Sequence, residues 1–363
     1  MRHLLVVLSL VMTAAACSGA AAPTATPNLT STPASTPAPS GSVVSIPTPS
    51  ESPAVRGQPI WIELTGQAPS AREDHTWTAD PEGAFAYLFG GRAGSEVLAD
   101  LWRYDLRTDA WTRLSPSGDG PAARFGHAAV WSEGIGLVVW AGQAGGAFFD
   151  DLWAYDPAAN TWRALPARGA VPAPRYGSCA VELDGRMWIS HGFTDAGRFA
   201  DTRVYEFATG VWTDATPDGE VPVERCLHDC LWAPDGRLLL YAGQTTGVPA
   251  LGDLWAFDPA ARTWERLPMP EPPARQLYAL GVSGGVAWVF GGAGSKRQVL
   301  DDLWALDLGT QTWRSVDTTG PGPAARSGAA FVADSARGRL LLFGGRTDEG
   351  ALRDLWQLTL VGQ

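Results

Sequence analysis

This sequence has no long stretch of helical periodicity, and long apolar runs are scarce. The longest apolar stretch lies within the first 16 residues, and at about 13 apolar or small residues it is too short to span a bilayer. The chain is instead rich in residues that favour turns and strands, with 42 Gly, 28 Pro and 17 Trp. We therefore predict that the folded part is all-β. The formal net charge of −11 disfavours a nucleic-acid partner.

The N-terminus has the layout of an export signal. Arg2 and His3 precede an apolar run from Leu4 to Met12, and small residues lead up to Cys17. This order resembles the lipobox of bacterial lipoproteins, although that family prefers Leu where Ala14 stands. The resemblance implies that residues 1–16 are removed, that Cys17 is acylated, and that the protein is exported and held on the extracytoplasmic side of a bacterial membrane by this lipid anchor alone. Ordinary cleavage, with Cys17 unmodified, is the alternative.

Charged residues are missing altogether from Ser18 to Ser50, where 20 of 33 residues are Ser, Thr or Pro. Such a composition cannot bury enough apolar surface to offset the entropy lost on ordering. We predict a disordered tether over residues 17–58 and a single folded domain over residues 59–363.

The folded part is a repeat with a period of about 50 residues, which indicates a solenoid, a propeller or an array. Its most regular unit is Asp-Leu-Trp followed nine residues later by a second Trp, as in Asp100-Leu101-Trp102 with Trp111. An Arg, a Gly-containing turn and this unit recur in the same order six times. The arginines are Arg72, Arg124, Arg175, Arg225, Arg275 and Arg326.

This order of Arg-x-x-His, a hydrophobic strand into Gly-Gly, Asp-Leu-Trp-x-Tyr-Asp and a closing Trp resembles the kelch repeat, which the galactose oxidase central domain shares. The resemblance runs from about Pro59 to Leu360 and implies a β-propeller with four-stranded blades. The sixth unit lacks its closing Trp, whereas Trp61-Ile62-Glu63-Leu64 copies a closing strand at the other end. We therefore predict six blades, closed into a ring by the N-terminal strand.

Most of the repeated residues are expected to be structural. We assign the motif tryptophans to the core, the motif aspartates to turn amides, and the motif arginines to hydrogen bonds that brace neighbouring loops. A ring of arginines that attracts an anion at the channel mouth is the alternative.

Three histidines, His75, His127 and His228, share one repeat position and are too widely spaced to hold one metal ion, so we expect neither a metal nor a cofactor. His191 stands apart because it replaces a turn glycine. The stretch from Cys226 to Cys230 aligns with an inner strand, where residues four apart lie about 13 Å from each other, so these two cysteines cannot bond. Alternation along neighbouring strands leaves a Cys179–Cys230 disulfide possible, with Cys226 as a free thiol.

We expect function at positions that are equivalent in every repeat but carry different side chains from one blade to the next. The residue after each motif Arg is one such position, and the loops after the Gly turns are others, including three phenylalanines that we expect to be exposed. Those phenylalanines either form a binding rim or fold back over the blades. The candidate ligand-binding residues are Glu73, Arg92, Phe125, Phe148, Phe149, Tyr176, Arg198, Phe199, Glu224, Arg225, Gln276, Arg297 and Arg346.

Two functions fit these observations. The first is a monomeric, non-enzymatic binding module that offers its loop face to a protein or a glycan at the cell envelope, since no appended catalytic domain or distinct catalytic set is evident. The second is a sugar epimerase similar to the bacterial sialic acid mutarotase, an exported six-bladed kelch propeller that uses an acid and an Arg. Convergence of Glu224 with an Arg in a deep pocket would favour the enzyme.

Overall fold

Strands account for nearly all of the regular structure in the computed structural model, which describes residues 58–269 and 272–360. The one helical element in those ranges is a 3-10 turn, Ser335–Arg337. No helix in the described ranges has the length and apolar character needed to cross a bilayer. The predicted signal peptide, Cys17 and the predicted tether up to residue 57 lie outside the described residues.

Six antiparallel sheets form the blades of a β-propeller, which confirms the predicted fold. Each blade has four main strands, which follow chain order from the central channel outward in blades 1 to 5, whereas in blade 6 the N-terminal strand β1 is outermost. The main strands are β2 Thr76–Ala79, β3 Phe85–Phe89, β6 Leu101–Asp105 and β7 Ala110–Leu114 in blade 1; β8 Ala128–Ser132, β9 Gly136–Trp140, β12 Leu152–Asp156 and β13 Thr161–Ala164 in blade 2; β15 Cys179–Leu183, β16 Arg186–Thr194, β17 Gly197–Glu206 and β18 Val211–Asp214 in blade 3; β19 Asp229–Trp232, β20 Leu238–Tyr241, β21 Leu254–Asp258 and β22 Thr263–Leu267 in blade 4; β24 Ala279–Ser283, β25 Val286–Phe290, β27 Leu303–Asp307 and β28 Thr312–Ser315 in blade 5; and β29 Ser327–Asp334, β30 Arg339–Thr347, β32 Leu355–Thr359 and β1 Ile60–Leu64 in blade 6.

Short strands add hairpins and edges to these blades. They are β4 Arg92–Ala93, β5 Glu96–Val97, β10 Gln143–Ala144, β11 Ala147–Phe148, β14 Arg168–Gly169, β23 Arg275–Gln276, β26 Ala293–Gly294 and β31 Gly350–Ala351. Of these, β14 lies parallel to the outer strand of blade 3, and single parallel bridges cover the outer strands of blades 2 and 6 in the same way. The loop that leads into each of these three blades thus protects its outer edge, which would otherwise present unpaired backbone groups.

The N-terminal strand closes the ring as predicted. β1 pairs antiparallel with β32 over its full length. Its Trp61 is buried, with its ring centroid 5.2 Å from that of Phe290 in blade 5 and 6.2 Å from that of Phe331 in blade 6. The first and last segments of the propeller therefore share one blade, and that blade packs against its neighbour through the same tryptophan.

Each blade contains one buried clamp between its motif Arg and its motif Asp. In blade 6, Arg326 donates to both carboxylate oxygens of Asp354 at 2.7 Å and to the carbonyl of Gly344 at 3.0 Å. The indole of Trp356 donates to the same carboxylate at 2.6 Å. The same bidentate pair recurs in all six blades, as Arg72–Asp100, Arg124–Asp151, Arg175–Asp201, Arg225–Asp253, Arg275–Asp302 and Arg326–Asp354.

The clamp confirms that the arginines brace neighbouring loops and corrects two other expectations. The aspartates accept hydrogen bonds from guanidinium and indole groups rather than capping turn amides, because the loops that carry Arg and Asp meet at the same end of the blade. The anion-attracting ring of arginines is wrong, since all six guanidinium groups are buried and already neutralised.

Candidate functional site

A closed circle of backbone hydrogen bonds forms the floor of the site. Two residues after each motif Arg, the chain adopts a left-handed conformation, and the N–H of that residue donates to the carbonyl at the same position of an adjacent blade at 2.8–3.2 Å. The six residues are Asp74, Gly126, Gly177, Leu227, Leu277 and Gly328. Below the floor, the inner strands line a cavity of about 240 Å³ within the channel. Above it lies the mouth of the propeller.

We define the mouth as twelve residues, two from each blade. The inner six follow the motif arginines, and the outer six follow the glycine turns; a backbone bridge or strand pair joins the two residues of each blade. The pairs are Glu73 with Arg92, Phe125 with Gln143, Tyr176 with Phe193, Cys226 with Gln244, Gln276 with Ala293, and Ser327 with Arg346. The mouth thus joins twelve positions of uniform backbone geometry and varied chemistry.

Blades 6 and 1 supply an ionic sector. Arg92 lies 3.0 Å from the carboxylate of Asp74 and 3.4 Å from that of Glu73, and Arg346 lies 3.6 Å from Glu73. Both carboxylates are buried, and each keeps one oxygen without a hydrogen-bond partner. Burial raises the pKa of Glu73, as does the neighbouring Asp74, while Arg92 and Arg346 oppose the rise. Burial likewise raises the pKa of Asp74 against the opposing charge of Arg92.

Blades 2 and 3 supply an aromatic sector of four rings. Tyr176 is central, with ring centroids 6.0 Å from Phe125, 6.5 Å from Phe148 and 5.8 Å from Phe193. Neighbouring rings meet at 53–78°, so they pack at steep angles to one another and form no flat platform. The guanidinium of Arg92 covers the face of Phe125 at 4.3 Å, and that of Arg198 lies over Phe193 at 5.2 Å.

Blades 4 and 5 supply a neutral sector with two carboxamides. Gln244 donates through Nε2 to the buried thiol of Cys226 at 3.6 Å, a long contact to a weak acceptor. Gln276 is 9% exposed, and its Oε1 has no hydrogen-bond partner. Burial raises the pKa of the Cys226 thiol, which therefore stays protonated near neutral pH. Arg198 of blade 3 also reaches this sector, where its charge opposes the rise in the pKa of Cys226.

Two of the phenylalanines expected to be exposed belong to the repeated frame of the propeller, by which we mean the blade strands and the six Arg–Asp clamps. Phe149 lies under the motif guanidinium of Arg124 at 4.3 Å, and Phe199 under that of Arg175 at 3.8 Å. Phe148, Phe149 and Phe199 are all partly buried, and for Phe149 and Phe199 the alternative that the rings fold back over the blades holds. The reason is that the buried arginines of these two clamps each leave a flat cationic face, and an aromatic ring covers it.

The remaining predicted residues divide between the mouth and other places. Arg225 belongs to a clamp and is fully buried, while Glu224 beside it is exposed, so the two do not share a pocket. Arg198 donates to the hydroxyl of Thr246 at 3.0 Å at the edge of the aromatic sector. Arg297 is exposed on the blade 5 hairpin.

Sequence reasoning missed Asp74 and Phe193. A usable signal exists for Phe193, because each outer mouth residue directly follows the second residue of its turn. Asp74 could have been noticed because it stands where three other blades have glycine.

The four histidines within the described ranges are buried and belong to the frame. His75 and His191 have a pKa lowered to about 3, chiefly by burial and then by a neighbouring arginine. His191 takes the left-handed turn position and hydrogen-bonds the hydroxyl of Ser190 through Nδ1 at 2.6 Å. Among residues 58–269 and 272–360, no three His, Cys, Asp or Glu side chains are placed to hold a metal ion.

Cys179 and Cys230 form a disulfide between the inner strands of blades 3 and 4, and Cys226 is free. The expectation that residues 226–230 form an inner strand was wrong in part. The strand begins only at Asp229, because Leu227 takes the left-handed conformation of the floor.

Fold and mouth together define a six-bladed β-propeller whose repeated frame carries a mouth of non-repeating chemistry. The chain belongs to the kelch-repeat family: the model described as the KLHDC2/KLHL20/DRC7 Kelch-repeats domain matches residues 60–243 and 233–363.

Similar proteins include the leucine-zipper-like transcriptional regulator 1 of Pongo abelii, 27% identical over 57% of this chain and 26% of its own length. The kelch domain-containing protein 3 of Bos taurus is also 27% identical, over 57% of each chain. The Drosophila melanogaster homologue of the first is 27% identical over 53% of this chain and 20% of its own length. The chain therefore spans between about a fifth and three fifths of the length of these relatives.

Proposed function

We propose that this chain is a protein-binding module whose partner docks on the mouth of the propeller. Kelch propellers are typically protein-interaction modules, and function on such a scaffold lies in the loops rather than in the repeated frame. Tyr, Phe and Arg, which form the aromatic sector and its borders, are the residue types enriched at the centres of protein interfaces.

The covered aromatic faces are the observation that carries this proposal. A sugar ring binds by stacking on an open aromatic face, but guanidinium groups lie over the faces of Phe125, Phe193, Phe149 and Phe199. The rings therefore offer apolar contacts at steep angles rather than an open stacking platform, which suits apolar side chains of a partner protein. We therefore favour a protein over a glycan.

Glu224 and Arg225, the residues named for the epimerase alternative, do not converge. It needs an acid and an Arg that converge on the anomeric centre, and the clamp holds Arg225 away from Glu224. Glu73 and Arg92 do lie together, but they are paired with each other and with Asp74. We therefore propose binding without catalysis, by a monomer, at this site.

We also propose that the protein acts outside the cytoplasm, attached through a lipid on Cys17. The export signal and the cysteine placed after its small residues support this location. The Cys179–Cys230 disulfide supports it as well, because disulfides persist in oxidising compartments and are rare in the cytosol.

Lys296 offers a direct test of docking at the mouth. It is the single lysine of the chain, and it is exposed on the blade 5 hairpin that continues from the mouth residue Ala293. An amine-reactive photo-crosslinker attached there should capture a partner in envelope preparations. In the matched control, Lys296→Arg is combined with Arg107→Lys, which moves the label to an exposed turn on the opposite face.

A protein captured from Lys296 and not from position 107 is the expected result. Tyr176→Ala combined with Phe148→Ala should abolish the capture because it removes two of the four rings of the aromatic sector. Equal capture from both faces, or capture that survives the double substitution, would show that the mouth is not the docking surface.

A further inference from the structure

The channel cavity below the floor contains a carboxylate that the frame does not use. Asp229 is half-buried and lines this cavity, at the position four residues after the motif Arg of blade 4. The same position carries Ala in blades 2, 5 and 6, Thr in blade 1 and Cys in blade 3. An acid at this position is therefore not needed to build a blade.

The carboxylate of Asp229 is poorly satisfied within the protein. Its Oδ1 accepts one hydrogen bond, from the backbone N–H of Cys230 at 2.9 Å. The hydroxyl of Tyr278 in blade 5 accepts from the Asp229 N–H at 2.9 Å and donates to the carbonyl of Tyr241 at 2.7 Å. A hydroxyl has one proton to donate, so Tyr278 has none left for the carboxylate.

The charge of Asp229 also lacks a counter-ion. Among the residues that the structure describes, it forms no ion pair with a Lys, Arg or His side chain. Arg275, which lies near Tyr278, is held by Asp302 in its own clamp. Desolvation raises the pKa of Asp229 to about 7, and the hydrogen bond from Cys230 opposes the rise only in part. A carboxylate in this condition is stabilised by a proton or by a bound cation.

The other titratable groups around Asp229 are neutral near pH 7. Burial raises the pKa of both Tyr241 and Tyr278. Burial also lowers the pKa of the three histidines that line the cavity, which are His75, His127 and His228. Asp229 is therefore the group in this cluster whose charge changes near neutral pH.

The size and the walls of the cavity decide which cation fits. Its volume of about 240 Å³ exceeds the roughly 150 Å³ of an engineered cavity that binds benzene. A metal ion prefers several oxygen ligands, but the second carboxylate on the wall, Asp74, is paired with Arg92 at 3.0 Å. Leu227, Leu280 and Phe331 also line the cavity. Such walls suit a cation that has a hydrocarbon part.

The end of the channel opposite the mouth attracts cations. The backbone floor separates the cavity from the mouth, so a ligand enters from this opposite end. Since the first strand of each blade starts near the floor, the turns between first and second strands lie at the entrance. Glu82, Glu133 and Asp184 are exposed on these turns in blades 1, 2 and 3. Carboxylates around an entrance raise the local concentration of cations.

We propose that the channel cavity is a binding site for a small organic ammonium ion, in which Asp229 pairs with the charge and the apolar walls contact the hydrocarbon part. The site lies on the other side of the floor from the mouth. It is therefore independent of the docking proposed there, and either function can fail without the other.

The test uses n-butylammonium as the probe and n-butanol as its neutral counterpart of similar size. Ligand-observed NMR titration of the whole protein at pH 8 should show n-butylammonium binding in the millimolar range or tighter, and weaker binding of n-butanol. Asp229→Asn keeps the shape of the side chain but removes its charge, and should weaken n-butylammonium binding about tenfold or more. Asp195→Asn, the same change at an exposed residue on the mouth side of blade 3, should leave affinity unchanged.

The pH dependence of binding gives a readout that a structural role of Asp229 would not change. The carboxylate has to be ionised to pair with an ammonium ion, whereas an alkylammonium stays protonated near neutral pH, as lysine does. Because the pKa of Asp229 is about 7, the affinity of the wild type for n-butylammonium should rise about tenfold from pH 6 to pH 8. Residual binding by Asp229→Asn should not change over this range.

Four results would overturn the site. They are absence of binding, equal affinity for n-butanol, affinity that Asp229→Asn does not change, and displacement of the probe by an equal concentration of K⁺, which would assign the site to a metal ion. If Asp229→Asn lowers the thermal midpoint, Asp229→Ala decides the outcome, because blades 2, 5 and 6 carry Ala at this position.

Discussion

Arg326 and Arg346 lie in the same blade, and each faces a carboxylate, but their surroundings differ. Arg326 is 1% exposed and holds Asp354 through two hydrogen bonds of 2.7 Å. The side chain of Arg346 is 46% exposed and lies 3.6 Å from Glu73 in the adjacent blade. The first arrangement recurs in every blade and the second occurs once. Residues that recur in every blade are therefore those that the fold requires. Residues that differ between blades are those that remain available to contact a partner.

The carboxylates of the two regions differ in the same way. Burial by itself would raise the pKa of Asp354, but the hydrogen bonds and charge of Arg326 outweigh it and hold the pKa below its usual value. At Glu73, burial prevails and the pKa is raised despite two nearby arginines. The carboxylates of the frame are thus fully paired with arginines. Those of the mouth are only partly compensated, so a partner or a proton could still stabilise them.

Deleting β1 should have the largest effect on the frame. The deletion exposes the edge of β32 and removes Trp61 from its contacts with Phe290 and Phe331. We expect the cooperative thermal transition, followed by circular dichroism, to be lost or lowered more than by any single substitution. Ile60→Thr with Ile62→Thr, on the exposed face of the same strand, should change stability by no more than about 0.5 kcal/mol per site. An unchanged midpoint after the deletion would contradict closure by this strand.

Arg326→Ala should have the next largest effect. It leaves the Asp354 carboxylate and the Gly344 carbonyl without their guanidinium partner. Breaking a buried pair by removing one member costs about 3–5 kcal/mol, which urea denaturation can measure. Arg107→Ala, at a side chain 72% exposed, is the matched control and should be close to neutral. A loss below about 1 kcal/mol for Arg326→Ala would mean that the clamp does not hold the frame together.

Lowering the pH should distinguish the frame from the mouth, because the contribution of His75 to stability falls while the contributions of Glu73 and Asp74 rise. His75 has a pKa of about 3 when folded against about 6.5 when unfolded, so the unfolded chain binds the extra proton and stability falls as pH drops below about 6.5. For this one group the loss amounts to about 2 kcal/mol at pH 5. Glu73 and Asp74 have raised pKa values, so their protonation adds stability as pH falls.

The variant His75→Ala isolates the frame contribution, since blade 6 has Ala329 at this position. It should be less stable at neutral pH because of the cavity it leaves, but its loss of stability between pH 7.5 and 5 should be smaller than that of the wild type by about 2 kcal/mol. Parallel pH profiles of the two proteins would show that His75 does not titrate on unfolding.

The frame could be predicted from the sequence because repetition made its rules visible. Six copies in register predicted the blades, and the displaced Trp61 predicted the closure. The Arg–Asp pairing was missed because its members lie 26–28 residues apart, and only the meeting of two loops at one end of a sheet brings them together. Tyr176 and Phe125 could be selected by position, but the covered faces of Phe149 and Phe199 could not, since side-chain stacking between two loops of one blade leaves no mark in spacing.

Arg346→Ala should have the smallest effect on stability and is the sharpest contrast with Arg326→Ala in the same blade. Ion pairs at exposed positions contribute about 0–1 kcal/mol, so the free energy of unfolding should be nearly that of the wild type. Capture of a partner from Lys296 should nevertheless decrease, because Arg is among the residue types that most often anchor protein interfaces. Unchanged capture together with unchanged stability would confine the docking surface to the aromatic and neutral sectors. A large loss of stability would instead make Arg346 part of the frame, and non-repetition would then no longer separate binding residues from structural ones.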